Sequence, residues 1–124
     1  MKNVLEAFWL RPETVCWRLR DIQVIRESDF KFNGKCLDMG GGDGIFTFLL
    51  NGGRLNLEYD FFSFTSNLDK HVEFNDIYDS EIKDISNLNK IVLEKPEKID
   101  IINFDHKLNL LKKSKLLNLY SQFI

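Results

Sequence analysis

The chain has no apolar run near the ~18 residues that a membrane-spanning helix needs. Residues 1–11 lack the apolar core and small-residue cleavage site of a signal peptide. An excess of one charge is missing too. The formal net charge is −2, which offers no bulk attraction for nucleic acid or a membrane surface. Cysteine is scarce: Cys16 and Cys36 stand alone, at a spacing that fits neither a metal knuckle nor a redox pair. Both read as small buried apolar residues, a disulfide being the weaker option. His71 lies among several acids without a metal-ligand spacing, so a solvated face is expected there and no metal site. These absences point to a cytoplasmic protein with neither membrane nor nucleic acid as partner. What remains is ordinary for a globular chain: 44% hydrophobic and 29% charged residues over 124 positions, one domain at most.

The most informative stretch is Lys35-Cys36-Leu37-Asp38-Met39-Gly40-Gly41-Gly42-Asp43-Gly44. Cys36, Leu37 and Met39 suit a covered strand. The alternating Gly40, Gly42 and Gly44 suit a turn that a ligand can approach closely. Ile45, Phe46, Phe48, Leu49 and Leu50 begin a helix whose free N–H groups face that turn. A phosphate loop carries Lys and Ser or Thr after its last glycine. Here Ile45 follows and Asp43 sits inside the loop, which disfavours nucleotide triphosphate hydrolysis. Asp38 and Asp43 accept hydrogen bonds from an ammonium or a hydroxyl and repel phosphate. The favoured ligand has a cationic amino-acid end.

Along the chain, Pro12 and Glu13 open an amphipathic helix over residues 12–26, with Val15, Cys16, Leu19 and Ile22 on one stripe. A polar connection with the Asn33-Gly34 turn leads to the strand and glycine loop, a unit spanning residues 35–50. Asn51-Gly52-Gly53 stops the helix. Leu55, Leu57 and Tyr59 alternate with polar residues as in a half-exposed strand. Residues 52–98 as a whole read as an insertion, irregular from residue 63 and ended by Lys95-Pro96. Ile99-Asp100-Ile101-Ile102-Asn103-Phe104 is β-branched and apolar, as a central strand requires. A helix is expected from Leu108 to Tyr120, with Leu110, Leu111, Ser114 and Leu117 buried and Lys112, Lys113 and Lys115 wet, so residues 99–120 form a second strand–helix unit. An acid at the end of strand two of a nucleotide-binding fold holds ribose hydroxyls. Asp105 follows that strand. Asp60 lies nearer the usual ~20-residue separation and is its rival.

The pattern Leu37-Asp38-x-Gly40-x-Gly42-x-Gly44 resembles the first motif of class I S-adenosylmethionine-dependent methyltransferases. Ile99-x-Ile101-x-x-Phe104-Asp105-His106-x-x-x-Leu110-Leu111-x-Lys113-Ser114 resembles their second-strand region, and Pro12-Glu13 with Trp17-Arg18 a lead helix found in some bacterial members. The residues between, Gly53-Arg54-Leu55 to Asp76-Ile77-Tyr78-Asp79, resemble an insertion of one bacterial branch. The resemblance implies an α/β, partial Rossmann-like sheet and S-adenosyl-L-methionine as cofactor. It places Asp38, Gly40, Gly41, Gly42, Asp43, Gly44, Asp105 and His106 at the cofactor. His106 also fits a plain helix-start role, and Trp17 and Arg18 ordinary packing and solvation. It further implies in-line attack on the sulfonium methyl, for which the protein supplies proximity and orientation. No catalytic base and no methyl acceptor can be named.

Two departures from the family stand out: Asn103 where Gly is common, and the long gap before Asp105. The family's sheet has seven strands, whereas this sequence is expected to stop after the helix that follows strand two. Such a sheet leaves an open edge and apolar face. Either the product is truncated or a second chain completes it, and little methyl transfer is expected from this chain alone. Two rivals remain. A dinucleotide-binding Rossmann module needs its third glycine at Ile45. A degenerate, non-catalytic fragment needs no ligand at all.

Overall fold

Pro12 opens the first helix, α1 (Pro12–Glu27), where its fixed φ and missing N–H carry no penalty. A computed structural model describes residues 12–56, 58, 61–67, 80–83, 90–97 and 99–124. Asp60 and His71 lie outside the described residues, as do Leu57, Tyr59 and nearly half of the insertion. Val15, Leu19 and Ile22 turn one stripe of α1 into the core, Ile22 being fully buried. Cys16 is exposed, contrary to expectation. It sits about 100° around the helix from Val15, just off the covered stripe. Cys36 is half-buried, and both thiols are free.

The strand before the glycine turn, β1 (Cys36–Met39), pairs in parallel with β4 (Ile101–Phe104). Their register sets Asp38 beside Asn103 and Met39 beside Phe104. Between them lie α2 (Ile45–Leu50), β2 (Arg54–Leu55), α3 (Phe61–Thr65) and β3 (Val92–Glu94). β2 and β3 form a small antiparallel pair, with Arg54 paired to Glu94. A bridge between Ser66 and Ile82 gives part of the insertion an ordered frame.

The helix after β4 is shorter than its apolar spacing predicts. It is α4 (Leu108–Lys115), not a helix to Tyr120. Asn118 takes a left-handed φ of 52°, a conformation that ends helices and that Asn tolerates better than most residues. The chain then forms β5 (Gln122–Phe123), parallel to β4. Among the described residues the sheet therefore has three strands in the order β1-β4-β5 and does not stop at strand two. Lys113, expected in water, is fully buried; its ammonium donates to Ser66 Oγ (2.9 Å) and Ser80 Oγ (2.8 Å) of the insertion.

One sheet face is closed. Ile101 and Cys36 join Ile22, Ile45, Phe48, Leu49, Leu117, Leu119 and Tyr120 in a single core cluster. Side chains alternate along a strand, so Leu37, Met39, Phe104 and Ile124 fall on the other face, where all are exposed, Met39 to 74%. β1 is thus half covered, not the buried strand its composition suggests. The fold is α/β: a small three-stranded parallel sheet with helices, compatible with part of a Rossmann-like fold. Among the described residues no helix is long and apolar enough to cross a membrane.

Candidate functional site

The parallel ladder runs directly into the glycine turn. Gly40 N donates to Phe104 O (2.7 Å), one step past the last β1 residue. Gly40, Gly42 and Gly44 all have positive φ, at 70°, 56° and 78°. Each would cost another residue about 1–2 kcal/mol. Gly41 is required for space instead: a Cβ there would lie 2.5 Å from Asn103 Oδ1 and 2.8 Å from Asp38 Oδ2. Gly44 N closes the turn on Gly41 O (3.0 Å), and Phe48 N on Gly44 O (2.9 Å) starts α2. Asp43 Oδ1 accepts from Ile45 N (3.2 Å), holding an amide of the first turn.

Two acids flank the turn at the C-terminal ends of neighbouring strands, and they differ in what holds them. Asp38 Oδ2 accepts from Thr47 Oγ1 of α2 (2.6 Å) and from Tyr120 OH, just before β5 (2.7 Å). Burial, reinforced by the Asp38 charge, holds the Tyr120 phenol far above the usual tyrosine range. Asp105 Oδ2 accepts from Gly42 N (3.0 Å), and its Oδ1 accepts from Lys107 N (2.8 Å) at the start of α4. The Asp105 side chain is 8% exposed, with the exposed His106 Nδ1 3.6 Å from Oδ1.

A cavity of about 500 Å³ opens over the turn. It is lined by Gly40, Gly41, Gly42 and Asp43 of the turn, by Asp105, His106, Lys107 and Leu110 around the start of α4, and by Thr14 and Arg18 of α1 with Phe46 of α2. Of the residues expected at a cofactor, six line this cavity: Gly40, Gly41, Gly42, Asp43, Asp105 and His106. Asp38 and Gly44 are not among its lining residues. Asp38 faces α2 and Tyr120, beside a smaller cavity of about 180 Å³. Gly44 is buried against Tyr120 and Ser114. Trp17 is exposed, whereas Arg18 reaches the cavity wall.

Asn103 is the residue that sequence reasoning noted only as a departure from the family. It is fully buried. Its Nδ2 donates to Gly42 O (3.1 Å) and Ser114 Oγ (3.0 Å), and Ser114 Oγ donates to Leu111 O (2.8 Å). One amide thus ties β4, the glycine turn and α4 together. Its Oδ1 is buried without a hydrogen-bond partner, beneath Gly41. The signal was a polar residue in an otherwise apolar strand, since a buried amide nearly always has a partner to hold. Thr47 and Tyr120 carried no such mark.

The arrangement can bind a ligand that presents hydroxyls to Asp105 and a polar end to the turn. Among the described residues no group of three or more His, Cys, Asp or Glu could hold a metal ion. Compared with the models of protein families, with curated proteins and with solved structures, the chain matches none.

Proposed function

We propose that the chain binds S-adenosyl-L-methionine over the glycine turn and is a methyltransferase, or the cofactor-binding part of one. The observation that carries this is the 3.0 Å bond from Gly42 N to Asp105 Oδ2. It joins two loops 63 residues apart in sequence at the C-terminal ends of adjacent parallel strands, where open α/β sheets hold ligands. The donor set fits an adenosyl ligand. A carboxylate has about four lone-pair sites. Two at Asp105 are taken by amides, which leaves acceptors for two ribose hydroxyls. A Cβ at Gly40 would meet open space, so the backbone there can lie against a ligand. The sulfonium supplies an already activated methyl group. The chain's own residues hold and orient: Asp105 the ribose, and the Gly40–Asp43 turn the amino-acid end.

A dinucleotide is disfavoured. Ile45, at the place of the third fingerprint glycine, is buried in the core, and the Asp43 carboxylate lines the cavity that would take a pyrophosphate. The uncovered sheet face supports a further part of the proposal. Transfer by this chain alone is slow, and a second polypeptide completes the sheet. Two free thiols suit a reducing, cytoplasmic location.

Calorimetric titration with S-adenosylmethionine, S-adenosylhomocysteine and NAD tests the assignment. Binding of the first two alone supports it, binding of NAD replaces it with a dinucleotide module, and silence replaces it with a non-catalytic fragment. Asp105→Ala should weaken the adenosyl ligands about tenfold or more. Turnover by the purified chain near the ~10 s⁻¹ common among enzymes would refute the slow-transfer part.

A further inference from the structure

We propose that Arg18 grips the carboxylate of the ligand's amino-acid end and so selects ligands that carry one. This rests on the adenosyl assignment and extends it to a residue of α1. Arg18, on α1, lines the same cavity as Asp105, Asp43 and Phe46. Its guanidinium carbon stands 4.9 Å from the centre of the Phe46 ring. Stacking on a face holds a guanidinium by its π surface and leaves its in-plane N–H groups for an acceptor. Its ion pair with Asp21 is long, at 3.7 Å, and half exposed on both sides. Such pairs hold weakly, so Asp21 leaves the fork able to take a better partner. A carboxylate offers two oxygens in the matching geometry.

The distribution of charge within the cavity says where an anionic group can sit. The Asp105 carboxylate, which lines the cavity, repels it. Lys107 lines the cavity too, but an ammonium offers no planar fork. Arg18 also lines the cavity, and its guanidinium is held against the Phe46 ring. Asp43 lines the same cavity, and a carboxylate attracts an ammonium. The two signs together match a zwitterionic amino-acid end rather than an anion alone.

S-Adenosylhomocysteine carries that end, and 5′-methylthioadenosine keeps the adenosyl group without it. Titration of both into the wild-type chain, Arg18→Met, Arg18→Lys and Phe46→Leu separates the roles. Arg18→Met should raise the Kd for S-adenosylhomocysteine about tenfold or more and leave that for methylthioadenosine unchanged. Arg18→Lys should keep part of the preference. Phe46→Leu should lower it several-fold, because the fork loses its platform. Equal weakening of both ligands by Arg18→Met, or no weakening of either, overturns the proposal while the adenosyl assignment stands. Equal affinity of the wild-type chain for both ligands does the same. A wild-type chain silent toward both overturns the two together. Should Arg18→Met fail to fold, the ratio of the two affinities in Arg18→Lys and Phe46→Leu decides: an unchanged ratio overturns the proposal.

Discussion

The two faces of the parallel sheet are built from the same strands and differ in almost everything else. On one, Ile101 and Cys36 meet Ile22, Phe48 and Leu117, and the acid of β1 is clasped by Thr47 and Tyr120. On the other, Leu37, Met39, Phe104 and Ile124 meet solvent. Parallel sheets ordinarily have helices on both faces. The difference teaches that stability and ligand geometry in this chain come from one face, while the second contributes apolar surface without packing. Substitutions on the two faces should therefore differ by several kcal/mol.

The largest effect is expected at Phe48, fully buried in the closed-face core. Phe48→Ala should cost about 3–5 kcal/mol, measured by urea unfolding. A loss below about 1 kcal/mol would show that the closed face is not the core of the fold. Gly44→Ala comes next. It forces a side chain to φ 78° and sets a Cβ 2.7 Å from Tyr120 Cε2. Strain and overpacking together should cost about 2–4 kcal/mol. Tolerance without loss would mean that the turn and the Tyr120 segment are not locked together.

Tyr120→Phe tests the clasp on Asp38. It removes one of two donors to Asp38 Oδ2 and should cost about 1.5 kcal/mol near neutral pH. It also has a pH signature. The folded phenol is held far above its usual range, whereas the unfolded one ionises near 10. Below about pH 10 both states keep the proton, and the contribution is fully present. Above it the unfolded chain releases the proton first, so stability falls, by up to about 1.4 kcal/mol per pH unit. The wild-type chain should lose its advantage over Tyr120→Phe as pH rises from about 9 to 11. A constant difference across that range would place the phenol in water.

The closed face was legible in the sequence wherever one local pattern was enough. Val15, Leu19 and Ile22 gave α1 its buried stripe, and the Asp38 to Gly44 run gave the strand, turn and helix order. The third strand was hidden because Leu117 and Tyr120 keep a helical spacing past the true helix end. Asn118 is the stop, and its side chain says so only to a reader who weighs αL tolerance above apolar period. Lys113 was hidden for a different reason: its burial comes from Ser66 and Ser80, which lie far away in sequence. The turn's shape was legible at Gly40, Gly42 and Gly44. The clasp on Asp38 was not, because its partners Thr47 and Tyr120 are non-local hydroxyls with no motif to announce them.

The smallest effect is expected on the open face, and it is the sharpest test of the contrast. Leu37 and Met39 are more than half exposed, so replacing each by Ser removes few contacts. The double variant Leu37→Ser with Met39→Ser should change unfolding stability by no more than about 0.5 kcal/mol per site. Ligand binding should be untouched, because neither residue lines the cavity over the turn. The same change makes the exposed apolar face less attractive for association with another chain. Light scattering at rising concentration should therefore show less self-association than the wild-type chain. A loss above about 2 kcal/mol in the isolated chain would mean that these side chains are covered in solution, and the two faces would then be alike.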